Sequence, residues 1–161
     1  VSHTHMDRFA GFDHLLMVGL GRMKRLVLWG GPRFVEQLQH KLLAYTWNVV
    51  HRYPDAMVIE AHALEADGSR THARFDSRAR FERQDDPPEP PSDSDLLLDD
   101  PLFRVRARIA DHEMPVLAFA IEEKAQLRVA AGRLAAMGLA TSSWLRTLKR
   151  AVPAQDLRRA G

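Results

Sequence analysis

Cysteine is absent from all 161 residues. That excludes disulfide bonds and any zinc site built on thiolates, and it fits a reducing compartment. Long apolar runs are missing as well. None approaches the roughly 18 residues that a membrane-spanning helix needs, and no secretory signal pattern opens the chain. Charge of one sign is lacking too: 23 Lys and Arg stand against 21 Asp and Glu, a formal net charge of +2. The chain as a whole is therefore not marked as a polyanion binder. What remains is 45% hydrophobic, enough for a packed core, in a length that one domain accounts for.

Histidine is well represented, with eight residues, and two of them open the chain in the pattern His3-Thr4-His5-Met6-Asp7-Arg8. Two imidazoles two apart, with a carboxylate two further on, suit a tight turn after a strand, where alternate side chains converge. Neutral imidazole nitrogens and a carboxylate oxygen are ligands that Zn²⁺ and Mn²⁺ accept. A solvated surface cluster of histidines is the plainer alternative. The apolar residues that follow, Phe9, Phe12, Leu15, Leu16 and Val18, argue for a buried segment instead.

Apolar spacing near 3.6 predicts a helix over 9–20, stopped by Gly19 and Gly21. Residues 24–29 read as a buried strand, broken by Gly30-Gly31-Pro32. A long helical pattern opens at Phe34, carries Leu38, Leu42, Leu43, Tyr45 and Trp47, and ends at Pro54. Alternation over 57–64 and 71–83, around the turn signal Asp67-Gly68, predicts a two-stranded ribbon. Residues 84–95 hold four prolines among acidic residues and read as an extended or disordered acidic loop. Strands are expected at 102–109, with Arg104, Arg106 and Arg108 on one face, and at 115–121. Leu127 and Val129 suggest a short strand, Leu134 to Leu139 a helix stopped by Gly138, and 144–152 a final amphipathic helix. The three strand arginines could meet a phosphate backbone; a solvated face paired with the acidic loop is the plainer reading. His14, His40, His51, His62 and His72 read as packing or solvated residues, with His14 as a conceivable substitute ligand.

Ser2-His3-Thr4-His5-Met6-Asp7 resembles the His-x-His-x-Asp-His signature of the metallo-β-lactamase superfamily. With Phe9-Ala10-Gly11 behind it, the wording is most similar to the ribonuclease Z branch, the tRNA 3′-processing endonucleases. A second stretch, Asp111-His112-Glu113-Met114-Pro115, resembles the motif of that branch in which a histidine precedes a proline and an apolar Gly-Tyr strand. Ala118-Phe119 stand in for Gly-Tyr, and Ile121-Glu122-Glu123 continues the likeness.

The resemblance implies an α/β fold of the metallo-β-lactamase type, an αβ/βα sandwich, of which residues 1–161 form one partial domain, an interior piece of the whole. It implies Zn²⁺, two ions per site in the family. His3, His5 and His112 would hold the first, while Asp7 would be a ligand of the second and the candidate general base. Arg8 departs from the signature: it stands where the fourth ligand belongs, and arginine stays protonated and cannot ligate. The implied activity is that of a metal-dependent phosphodiesterase cutting precursor tRNA, as a cytoplasmic homodimer with no membrane. The family's bridging aspartate and last histidine fall beyond the matched residues, so the isolated chain is expected to be inactive. A generic ester or phosphodiester hydrolase of the same fold and a non-catalytic remnant are the alternatives.

Overall fold

A computed structural model describes residues 1–124, 130–139 and 143–151. Leu127, Val129 and Val152, where a strand and a helix end were expected, lie outside the described residues. The chain divides into two compact units, Val1–Asp95 with Ala107–Phe119, and Leu96–Arg106 with the described residues from Ala120 onward.

The first unit is built on a four-stranded sheet in the order β1-β2-β3-β4, formed by Arg25–Gly30, Val58–Leu64, Arg70–Asp76 and Arg83–Glu89. β1 and β2 run parallel, which demands a crossover. It is supplied by the helix Phe34–Leu43 and a turn of 3-10 helix at Val50–Arg52. Two short helices precede the sheet, α1 over Met6–Phe9 and α2 over Gly11–Gly19, and the crossover helix is α3. The expected single helix over 9–20 is thus two pieces that meet at Ala10. Phe34, Val35, Leu38 and Leu42 form the buried stripe of α3, at helical spacing. They pack on Ile59, Ala61 and Ala63 of β2 and Ala73 and Phe75 of β3. The expected longer helix stops at Leu43 because the Trp47 indole folds back and donates to the Leu42 carbonyl oxygen at 2.8 Å.

Asp67-Gly68 makes the expected hairpin: Gly68 has φ +83°, and Asp67 accepts from the Ser69 amide at 2.9 Å. β3 ends sooner than alternation suggests. The Ser77 amide donates to the Met57 carbonyl and its hydroxyl accepts from the Met57 amide, both at 2.9 Å, so the chain turns inward. Arg80 and Phe81 follow with positive φ, which swings Phe81 into the core against Trp47. The predicted ribbon is consequently the middle of a wider sheet.

The stretch 84–95, expected as an extended or disordered loop, begins instead in a paired strand over 83–89. Backbone pairing survives Pro87 and Pro88 because β4 is an edge strand and the prolines fall at a register shift, between the pairs His72↔Asp86 and Arg70↔Glu89. Proline is tolerated at such places because its missing N–H breaks no ladder.

The sheet face turned away from α3 carries a row of rings. Trp29 stacks on His62 at 4.4 Å between centroids, and His62 Nδ1 meets His72 Nδ1 across the β2–β3 pair. His72 Nε2 stands 3.3 Å from Glu89. The sequence reading of these two histidines as packing residues fits that arrangement. Burial, and then the neighbouring His72, push the His62 imidazole below its ordinary pKa. The folded state therefore takes up this proton less readily than the unfolded state does. Its stabilising contribution is complete above the unfolded histidine value of about 6.5 and is lost as pH falls from there toward the folded value. Melting curves recorded between about pH 7.5 and 5 are expected to show a loss of stability that His62→Gln reduces. An identical pH slope in both proteins would refute the assignment.

The second unit holds β5 (Leu96–Asp99), the first residues of β6 (Phe103–Asp111), the last of β7 (Pro115–Glu123), α4 (Ala131–Ala136) and α5 (Trp144–Ala151). These strands form a three-stranded sheet in the order β5-β6-β7. Gly138, at φ +70°, follows α4 in the expected stop position.

Candidate metal centre

The opening histidines sit in an extended loop that runs into α1. His5 is the N-cap residue of that helix, with φ −56° and ψ 146°, and its carbonyl accepts from the Arg8 and Phe9 amides. The loop is held at its start. The Val1 nitrogen donates to the Trp29 carbonyl oxygen at 2.7 Å, and the Leu117 amide of β7 donates to the Ser2 carbonyl oxygen at 2.8 Å. That second bond matters for His112. The turn from β6 to β7, closed by His112 N–H to the Met114 carbonyl at 3.0 Å, is thereby brought beside the loop. Glu113 takes up φ +60° in this turn, a conformation that costs a side-chain-bearing residue some energy.

The two sequence motifs consequently meet. The rings of His3 and His5 lie edge to face at 4.8 Å between centroids, and His3 and His112 lie at 6.5 Å. Ser2 Oγ stands 3.1 Å from His3 Nδ1, which leaves Nε2 as the nitrogen available to an ion. Imidazoles sharing a zinc at roughly 2.0–2.1 Å stand with ring centres about 5 Å apart in a tetrahedral set. The His3–His5 spacing fits that value and the His3–His112 spacing is wider. Among the described residues, no group of three or more His, Asp or Glu side chains is gathered tightly enough to hold a metal ion. The imidazoles are zinc-type donors, but His112 stands back and the three are not gathered into a ligand set.

Asp7 does not join them. Its carboxylate is exposed in the first turn of α1 and pairs with the neighbouring Arg8 at 3.2 Å. The second-metal position thus consists of one carboxylate already facing a guanidinium. His14 is exposed on α2 and His40 is exposed on α3. His51 lies in the 3-10 turn rather than in a helix.

A cavity of about 210 Å³ opens beside the loop, lined among others by Ser2, His3, Thr4, Pro32, Gln37 and Met114. The Thr4 hydroxyl donates to the Gln37 side-chain amide oxygen, Oε1, at 2.7 Å. Sequence reasoning missed this contact, because Gln37 is one polar position in an amphipathic helix and nothing local links it to residue 4. The strand arginines are each matched by a carboxylate: Arg104 by Asp99 at 3.1 Å, Arg106 by Glu122 at 3.4 Å and Arg108 by Asp95 at 3.3 Å. Their charge is used locally, which favours the paired-face reading over a phosphate-binding one.

At the coarse level this is a mixed α/β chain with two sheets, in which the loop before α1 and the turn between β6 and β7 bring His3 beside His112. Comparison with known proteins places it near one enzyme. It is 32% identical over 150 residues to the ribonuclease Z of Deinococcus radiodurans, a stretch covering 92% of this chain and 44% of that protein. The chain therefore spans a little under half the length of the curated relative it matches, and the likeness supports a ribonuclease Z-like relationship. No protein-family model matches the chain, and no solved structure matches it. No helix among the described residues is long and apolar enough to cross a membrane.

Proposed function

We propose that this chain is the metal-binding part of a ribonuclease Z-like hydrolase of the metallo-β-lactamase fold, acting on RNA phosphodiesters in tRNA 3′ processing. The observation that carries the reading is the approach of His112 to His3, whose ring lies beside that of His5. It joins the two stretches that resemble ribonuclease Z and would be coincidental otherwise. His3, His5 and His112 would hold a zinc ion through imidazole nitrogens. Bound there, zinc supplies Lewis acidity and lowers the pKa of water toward neutrality.

The chain's own residues prepare that centre. Ser2 fixes the His3 ring, and the Leu117–Ser2 bond keeps the two ligand-bearing segments together. Asp7 is the candidate proton acceptor, and its exposed carboxylate pairs with Arg8. Likeness to the Deinococcus ribonuclease Z supports an RNA substrate; the cytoplasmic homodimer belongs to the same reading through the family resemblance alone. The Asp7–Arg8 pair favours a second reading, a one-metal chain that does not catalyse alone, because the carboxylate that the second metal would need faces a guanidinium instead.

Metal content after zinc loading and dialysis tests the proposal. One zinc per chain is expected, lost in His3→Ala and in His112→Ala. Arg8→His should leave that stoichiometry unchanged, and wild type should turn over neither a chromogenic phosphodiester nor precursor tRNA at an appreciable rate. Equal zinc content in wild type and His3→Ala would overturn the metal assignment. Zinc-dependent turnover abolished by His3→Ala would show that the chain catalyses unaided.

A further inference from the structure

We infer that the end of the four-stranded sheet opposite the histidine loop is a contact surface for RNA, where unneutralised arginines hold the phosphodiester backbone; this rests on the RNA-acting reading above. Strand register brings Arg25 of β1, Val58 of β2 and Asp76 of β3 side by side. The turn before β1, the 3-10 turn before β2 and a 3-10 turn after β3 (Ser77–Ala79) therefore share one margin of the sheet. Trp29, whose carbonyl holds Val1, lies four residues along β1 from Arg25, about 13 Å at roughly 3.3 Å per residue. The margin is thus separate from the histidine loop.

Four arginines sit in or beside these turns, Arg22, Arg52, Arg78 and Arg80, all exposed. None faces a carboxylate among the described residues, whereas every other arginine of the first unit has one at 2.6–3.9 Å. The unmatched charges are gathered on one margin, not scattered. Of the acidic groups there, Asp55 faces Lys24 at 3.4 Å, Asp76 faces Arg74 at 3.9 Å, and exposed Glu82 faces no cation. The framework beneath the charges is fixed. The Arg78 guanidinium donates to the His51 carbonyl oxygen, and to that of Pro54 at 2.9 Å, which ties the turn before β2 to the turn after β3. The Tyr53 ring packs on Gly21 so closely that a Cβ there would stand 2.6 Å from Tyr53 Cδ1, which keeps the Arg22 turn against the Arg52 turn. Yet Tyr53 is 41% exposed, and with Val49, Arg52 and Pro54 it lines a cleft of about 360 Å³.

A guanidinium stays charged and presents a fork of donors matched to phosphate. A fixed aromatic face beside it offers a nucleobase a stacking surface. A lipid surface is more often met by the apolar face of an amphipathic helix, and these turns hold nothing longer than a 3-10 turn.

The test is fluorescence anisotropy of the full chain with a labelled precursor tRNA, recorded against salt concentration, with thermal melting as a check on folding. Wild type is expected to bind at low salt and to weaken linearly in log–log form. The triple variant Arg22→Gln, Arg52→Gln, Arg80→Gln should lower that slope by about 2–3 at an unchanged melting temperature, and the triple lysine variant should keep most of it. Arg104→Gln, Arg106→Gln and Arg108→Gln together remove the same charge from carboxylate-paired positions and should leave the slope near wild type. Tyr53→Leu should weaken binding about 5-fold or more with the slope unchanged, because stacking releases no counterion; full affinity there would overturn the stacking role. A slope unchanged in the glutamine patch variant, or lowered equally in the strand variant, would overturn the patch and leave the RNA reading standing. No binding of precursor tRNA by wild type at low salt would overturn both. Capture by phosphatidylserine vesicles without RNA binding would assign the margin to a lipid surface instead.

Discussion

Gly30→Ala is expected to destabilise the protein by about 3 kcal/mol or more, at or beyond the upper end of what overpacking a core usually costs. The reason is steric, not conformational, because Gly30 is absent from the positive-φ glycines. A methyl group built at Gly30 would sit 2.0 Å from Phe34 Cγ and 2.5 Å from both Phe34 Cβ and Cδ2. Neither partner can yield. Gly30 is the last residue of β1, in register with Ala63 of β2, and Phe34 is 1% exposed at the start of α3. The glycine lets strand and crossover helix approach to contact distance, and the ring of Phe34 occupies the space that any side chain at 30 would need. Chemical denaturation of Gly30→Ala, Phe34→Ala and the double variant provides the check. The double variant should lose clearly less than the sum of the two singles, since removing the ring also removes the clash. A Gly30→Ala protein within about 0.5 kcal/mol of wild type would show that β1 and α3 can part at no cost.

Phe75→Ala is expected to cost about 3–5 kcal/mol, the range found when a large aromatic is cut from a sealed core. Phe75 is 0% exposed on β3 and stands opposite Ile59 of β2, which is also 0% exposed. Around it the sheet is lined by alanines at 61, 63 and 73, which cannot extend to fill a void. Phe75→Leu, which keeps most of the volume, should lose noticeably less. Equal losses for Ala and Leu would mean that the ring's shape, rather than its burial, is what the core needs.

The parts of the fold that were legible in the sequence were those with short-range causes. The stripe of Phe34, Val35, Leu38 and Leu42 announces a helix, and Asp67-Gly68 announces a hairpin, because each is set by residues a few positions apart. The early end of α3 and of β3 was not legible. Trp47 reaches back to the Leu42 carbonyl, and Ser77 hooks Met57, twenty residues away; local alternation contains neither contact. The strand over 83–89 was hidden by its prolines. They argue against pairing unless the strand is known to lie on an edge, and edge position is a property of the whole sheet. Around the opening loop, motif resemblance singled out His3, His5 and His112, and the structure places the His3 ring beside His5 and, less closely, His112. The engagement of Asp7 by Arg8 and of Thr4 by Gln37 were not, because spacing along the chain does not report where an exposed side chain turns.

The prolines of β4 also give the four-stranded sheet a direction. Along its outer strand, Pro87 and Pro88 offer no amide hydrogens, and Asp85, Asp86 and Glu89 add negative charge. A further strand arriving there would find an interrupted ladder and a repelling rim, a common protection against edge-to-edge association. At β1 the opposite holds. No strand among the described residues pairs with its free side, it contains no proline, and Val27 is 40% exposed there. The sheet can be lengthened at one margin only, so any added strand, from this polypeptide or another, would be seated on the side of Trp29, whose carbonyl already secures the histidine loop.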